Sequence, residues 1–287
     1  MGKFLKKFSS HTEYDAAKDS LILPNVSLCV NENDVHYNPW VETRVVAKFN
    51  VTSTSSPTKI ASATTSFSSI EIDGVELPSV VSAYTFDTLG EHTVKYTLTD
   101  PTSIGDFAFG SCSSLTSITI LDSVTSIGMY AFAYCRGLTS IDIPSGVTNI
   151  GNSAFDKCNS ITSINIPSGV TSIGEGAFHK CSGLISIVMP NKVTFISGET
   201  FKGCTSLSSC TIGSGVTTIA SSAFQDCTSL TSITSLRTTA PTIQSDTFQN
   251  IKSNGTLYVP QGSSGYNVWM GTENYYLGKY SWTKVEQ

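Results

Sequence analysis

The chain has 287 residues, a net charge of −5 and only 14% charged residues. That length accommodates two or three domains, and a mildly acidic chain whose only run of cations lies between Lys3 and Lys7 lacks the clustered positive charge that nucleic-acid phosphates demand, so no nucleic-acid partner is expected. No stretch approaches the roughly 18 apolar residues of a membrane span, so no membrane insertion is expected either.

Residues 1–10 carry the cations of a signal peptide, but the polar stretch from His11 to Lys18 stands where an apolar core should come next. The expectation is therefore either a leader lying outside this chain or a route that bypasses general secretion. Residues 9–19 read as a short helix capped by Ser9 or Ser10. Residues 26–30 and 35–37 flank the polar turn Asn31-Glu-Asn-Asp34, a hairpin pattern. Residues 1–40 are read as a helix-hairpin attachment module.

In residues 41–100, three segments (44–51, 69–72 and 92–98) alternate apolar and polar residues as half-buried strands do. Turn signals at Ser56-Pro57, Asp73-Gly74 and Leu89-Gly90 separate them. The strands are too few for an immunoglobulin-like sandwich, which needs about seven. This segment is read as a small β module that caps the stack of strands beginning near residue 101, because an open end of stacked strands exposes unpaired backbone.

From Ile104 to Ser235 one pattern recurs six times with a period of 23 residues. Ile104-Gly105 returns as Ile127-Gly128, Ile150-Gly151 and Ile173-Gly174, then drifts to Ile196-Ser197 and Ile219-Ala220. Columns of Phe (109, 132, 155, 178, 201, 224), Cys (112, 135, 158, 181, 204, 227) and Leu or Ile (115, 138, 161, 184, 207, 230) keep the same register. A degraded seventh copy comes after a one-residue insertion near Pro241 and carries Ile243 and Phe248. Such a period indicates a solenoid, since 23 residues cannot bury these side chains alone and neighbouring units can. Each unit supplies one strand, such as Leu115-Thr-Ser-Ile-Thr-Ile120, and a second short strand, such as Val147-Thr-Asn-Ile150, after a turn. A helical or 3₁₀ turn is expected around Ala154 and Phe155. Gly213, Cys210 and Ser235 depart from the pattern, and a looser sheet is expected there.

Residues 251–287 abandon the period and turn aromatic, with Tyr258, Tyr266, Trp269, Tyr275, Tyr276, Tyr280 and Trp282. Large side chains of this kind suit a seal over the last unit. The fold class expected is thus mainly β with short helical turns: residues 101–250 form a leucine-rich solenoid of six to seven 23-residue units, preceded by the β module and closed by the aromatic cap.

The Cys column lies just beyond the buried Phe, where a thiol behaves as a small hydrophobe, and reduced, buried packing is expected. Cys135→Ser should then cost about 1–3 kcal/mol by burying a hydroxyl without a partner. No Cys-x-x-Cys pair is present, so no metal is expected. The four histidines lie in three different modules without a nucleophile motif, no phosphate loop is present, and the chain is read as non-enzymatic with no cofactor and no catalytic residues. His179 stands in a variable column (Gly110, Ala133, Asp156, Lys202, Gln225) read as solvated.

The pattern Ile-Gly-x-x-Ala-Phe-x-x-Cys-x-x-Leu-Thr-Ser-Ile-x-Ile-Pro resembles the BspA-type leucine-rich repeats of bacterial surface and secreted proteins, over residues of about 101–260. The resemblance implies a curved solenoid used for adhesion or protein binding, with no catalytic residues. Phe4-Leu-Lys-Lys-Phe8, Pro24-Asn-Val-Ser-Leu28 and Val35-His-Tyr-Asn-Pro39 resemble leader segments of gut-anaerobe and phage proteins, which implies an attachment or assembly module on a particle.

A solenoid binds through its exposed strand positions. One outward column is uniformly Ser (117, 140, 163, 186, 209, 232) and the next runs Thr119, Asp142, Asn165, Val188, Thr211, Thr234. Departures gather in the fourth unit at Ile185, Val188, Met189, Asn191, Lys192 and Phe195. The candidate binding residues are Ile185, Val188, Lys192 and Phe195. The function expected is a non-catalytic adhesion or protein-binding scaffold on a cell or particle surface, with a protein or glycan surface, or copies of itself, as partner. The alternative is a structural component of a phage virion or tail.

Overall fold

The computed structural model describes residues 44–287, which form one compact unit. The helix, hairpin and attachment module expected in residues 1–40 lie outside the described residues.

Arg44–Val51 buries alternate side chains, as its sequence alternation requires, and pairs antiparallel with Gly90–Leu98. Phe67–Ile72 adds on the far side of Gly90–Leu98 and turns through Asp73 (φ 47°) and Gly74 (φ 87°) into Val75–Glu76. That turn suits a right-twisted hairpin because both central residues sit at positive φ. On its other edge Arg44–Val51 pairs antiparallel with Leu115–Thr119, the first strand of the repeats, with a register shift between Lys48 and Phe49.

From there the sheet is parallel and advances one repeat at a time. Ser117 aligns with Ser140, bridges join Asp142 to Asn165 and Ser163 to Ser186, and Ser186 aligns with Ser209 and then Ser232. Thr256–Val259 and Thr283–Glu286 extend the same ladder to the chain end. A second ladder of two-residue strands runs alongside, with Ile104, Ile127, Ile150 and Ile173 in register, then Ile196, Ile219 and Ile243. The insertion near Pro241 is absorbed here, where Ile219 pairs with Ile243, 24 residues on.

One expectation needs correction. The sheet does not loosen where the pattern departs: Ser209–Ile212 and Ser232–Ser235 span four residues each against three for Ser140–Asp142. Ser235 is buried and accepts a hydrogen bond from the Tyr266 hydroxyl (2.6 Å), so the polar side chain in an isoleucine slot is satisfied by the aromatic segment. Around Phe155 the expected short turns are present as i→i+3 closures, and they do not run on into a helix. Ser153 and Lys157 take left-handed backbone (φ 52° and 57°), which breaks any helical run. The N–H groups of Ser153, Phe155 and Lys157 donate instead to Glu175, Ala177 and His179 of the next unit (each 2.8 Å), while those of Ala154, Asp156 and Cys158 close turns within their own unit. The turn side is thus a third inter-repeat ladder.

Inside lies the Phe column, from Phe109 to Phe248, as an offset stack with centroids 5.3 to 5.7 Å apart and planes within 20°. Phe67 and Tyr96 lie against Phe109 at 5.3 and 5.1 Å, and Trp269 lies against Phe248 at 5.4 Å. The polar tips of these end rings are satisfied: Tyr96 OH donates to Ile60 O (2.7 Å) and Trp269 Nε1 to Pro241 O (2.9 Å).

Candidate functional site

On the long ladder the residue after each Leu carries a hydroxyl in most units, and Thr139, Ser208 and Thr231 donate it to the carbonyl one unit back at 3.1 to 3.4 Å. Ile185 occupies that slot in the fourth unit. It cannot donate, and its side chain stands 52% exposed. Three residues on, Val188 is 61% exposed in the column otherwise filled by Thr, Asp and Asn. Ile185 and Val188 both stand outside the core, Val188 within Ser186–Val188 and Ile185 just before it.

Phe195 is also exposed (47%), but it belongs to Phe195–Ile196 on the short ladder, in a different sheet from Val188. Lys192 is exposed in the turn between the two strands. In that turn the Asn191 side chain accepts the Ser214 N–H (2.9 Å), which ties it to the next unit. Met189 is buried and takes no part in the surface. Its column is Ile120, Ile143, Ile166 and Ile212, so the inward orientation was present in the sequence.

His179 is not solvated. Its Nδ1 lies 2.7 Å from an oxygen of the buried Asp156 in the unit before, and Lys157 approaches the other oxygen at 3.8 Å. The pair is a structural contact in the turn ladder. Among the described residues no three His, Cys, Asp or Glu side chains are placed to hold a metal, and no helix is long and apolar enough to cross a membrane. A surface depression of about 380 Å³ lies in the aromatic C-terminal segment, lined by Asn267, Val268, Thr272, Glu273 and Tyr276.

A second exposed group went unnoticed in the sequence. On the turn side Phe107 stacks on Tyr130 (5.1 Å, 16°), and Lys157 Nζ sits 4.3 Å above the Tyr134 ring. The signal was available as two columns, at the third and seventh positions after each Ile-Gly isoleucine.

The family described as BspA type Leucine rich repeat region matches residues 102–231 and 195–266, in six copies. Together the matches cover more than half of the chain. A search of curated proteins gives no match. Among solved structures, a leucine-rich repeat protein from Bacteroides ovatus is 30% identical with a TM-score of 0.51, over 57% of this chain and 42% of its own. A leucine-rich repeat protein from T. pallidum is 32% identical with a TM-score of 0.48, over 49% of this chain and 66% of its own. The pneumococcal vaccine antigen PcpA is similar in fold, at 19% identity and a TM-score of 0.52, over 66% of this chain and 45% of its own. The chain therefore spans less than two thirds of the length of each of these relatives.

Proposed function

Since the chain belongs to the BspA-type leucine-rich repeat family, we propose that it is a non-catalytic scaffold, displayed on a surface, that adheres to a protein or glycan surface through side chains standing out from its repeats. The observation that carries this reading is the break in two polar columns, at Ile185 and at Val188. Both side chains are exposed and apolar, and a hydroxyl in the Ile185 slot bonds the neighbouring unit elsewhere. The fold gains nothing from them there, whereas an interface would. Lys192 and Phe195 extend the contact across the turn. The interior supports the same reading, because the repeats are filled by Phe, Ile, Leu and Cys and leave the function to the outside.

Charge on this face is sparse, so single-copy affinity should be modest and multiple copies should raise it. The test compares monomeric and multimerised protein on arrays of host glycans and matrix proteins. Changing Val188, Lys192 and Phe195 to Ser should weaken binding by the multimer more than changing Ser117, Ser140 and Ser163 to Ala. Equal losses from the two sets, or tight one-to-one binding of a metabolite by calorimetry, would overturn the reading.

A further inference from the structure

The turns that join the long ladder to the short one differ in the fourth, fifth and sixth units. The fourth reads Pro190-Asn191-Lys192, the fifth Gly213-Ser214-Gly215 and the sixth Leu236-Arg237-Thr238. The fifth is bare by necessity: a Cβ on Gly213 would stand 2.6 Å from Pro190 O, and one on Gly215 would run into Asn191 O. A low saddle results, about 10 Å or two ladder steps across, with Lys192 on one flank and Leu236 and Arg237 on the other.

Arg237 folds back into that saddle. Its Nη1 donates to Ser214 O at 3.2 Å, while its Nε is buried without a partner. Neither Arg237 nor the exposed Lys192 makes an ion pair among the described residues. From Ser186 to Ile243 the two strand ladders and the turns between them hold these two cations and no acid. The surrounding acids are engaged or set apart: Glu199 and Asp226, on the turn side, are held by Lys202 (2.8 Å) and the Asn250 amide (2.8 Å), and Glu286 pairs with Lys284 at 2.9 Å. Glu175 lies beyond the short ladder beside Gly198, and Asp142 lies two units before Val188. In a chain of net charge −5 this strip is positive. Exposed apolar side chains border it on both sides, Leu236 (46%) at the end of the long-ladder strand and Phe195 (47%) on the short ladder.

We propose that this strip receives an extended acidic segment of a partner protein, whose carboxylates meet Arg237 and Lys192 and whose apolar side chains rest on Leu236 and Phe195. The guanidinium fork matches a carboxylate with two parallel hydrogen bonds. Because the Arg237 Nε is buried and unpartnered, an arriving acceptor gains more there than at an exposed lysine. Two ladder steps are the room that one extended chain takes between neighbours on either side. Leu236 offers nothing to a sulfate or a sugar hydroxyl but packs against an apolar side chain, which favours a peptide over a bare polyanion. The assignment rests on the reading of Lys192 and Phe195 as contact residues, and it adds Leu236, Arg237 and the charge of the partner to them.

Fluorescence anisotropy measures binding of the whole chain to labelled peptides of repeating Glu-Leu-Ser, Lys-Leu-Ser and Glu-Ser-Ser, and to labelled heparin fragments, at low and physiological salt. The Glu-Leu-Ser peptide should bind most tightly and weaken as salt screens the two cations. Arg237→Gln should weaken it about tenfold, because a charged and partly buried donor is lost, and Lys192→Gln about threefold, because that contact is exposed. Arg237→Lys should recover only part of the loss, since it restores the charge without the fork. Leu236→Ser should cost about threefold, whereas Arg136→Gln, on the turn side, should leave binding within about twofold. If Arg237→Gln lowers the melting temperature, Lys192→Gln decides, since that side chain is exposed and carries no bond of the fold. Binding of any other probe as tightly as the Glu-Leu-Ser peptide, indifference to both cation variants, or no binding of the Glu-Leu-Ser peptide would each overturn the proposal. In that last case, a loss of array binding on changing Val188, Lys192 and Phe195 would keep the contact face and remove only its acidic partner, whereas equal losses in the array test would remove the face itself.

Discussion

Five of the six ladder thiols do more than fill space. The Sγ of Cys135 lies 3.0 Å from Phe109 O, and those of Cys158, Cys181, Cys204 and Cys227 lie 3.1 Å from the carbonyls of Phe132, Phe155, Phe178 and Phe201. The thiols therefore join successive units by a weak polar contact inside an apolar column. Ser at Cys135 would find the same acceptor waiting, so the cost of Cys135→Ser should fall near 1 kcal/mol, the low end of the range for an unpartnered hydroxyl. Denaturant titration of the variant measures it. Burial pushes every described thiol up, Cys112 to about 12, and all seven are free. Iodoacetamide at pH 8 should leave these seven unlabelled in the native protein and label them in denaturant; rapid native labelling at any ladder position would show that the column is open to solvent. A different residue-scale effect applies at Ser153. Its left-handed backbone costs a Cβ-bearing residue about 1–2 kcal/mol, partly offset by the larger chain entropy of Gly, so Ser153→Gly should stabilise by roughly 0.5 kcal/mol and Ser153→Val should destabilise.

Among the elements, the hairpin at Asp73 is held by a titratable latch. His92, buried in Gly90–Leu98, places Nδ1 2.6 Å from Asp73 Oδ2 and Nε2 3.0 Å from Thr88 O, with the Phe86 ring 4.3 Å away. Its pKa is raised, first by the hydrogen bond to Asp73, against the opposing effect of burial. A raised folded-state pKa means that the contribution is complete below the unfolded value, near 6.5, and is lost as pH rises through the higher folded value. Stability measured by denaturant from pH 5.5 to 8.5 should fall with pH in that window, and His92→Gln should flatten the decline. An unchanged slope in the variant would place the pH dependence elsewhere. Both sheet ladders could be read in advance, because period-two alternation and a fixed 23-residue spacing determine which side chains face inward. The turn ladder could not, since its N–H groups alternate between partners within the unit and partners in the next one, which apolar spacing does not encode. The same gap misplaced His179, whose variable column looked solvated although the preceding unit brings Asp156 beneath it. At the candidate site Ile185, Val188 and Phe195 were visible as breaks in polar columns, and the period already put Phe195 on the second short strand, two units on from Asn149.

At the scale of the molecule, neighbouring units are bonded along three ladders, the short one interrupted between Ile173 and Ile196, and the two ends differ in how they stop. One end is closed by an antiparallel strand and the rings of Phe67 and Tyr96, the other by Trp269 and the charged edge strand Thr283–Glu286. We expect residues 251–287 to act as a seal: their removal uncovers the face of Phe248 and the edge of Ser232–Ser235, and should give oligomers or precipitate. Size-exclusion chromatography and light scattering decide it, and a monomeric truncation with an unchanged melting temperature would refute the capping role. Because the inter-unit hydrogen bonds lie along the solenoid axis, the body has a mechanical grain. Tension applied between Arg44 and Gln287 loads the junctions between units in series, so the weakest opens first and the rest hold. Each unit that peels away releases 23 residues, about 80 Å of chain at full extension. A tether made of such units would lengthen in steps of that size under flow, dissipating a pull that would snap a single cooperative domain all at once.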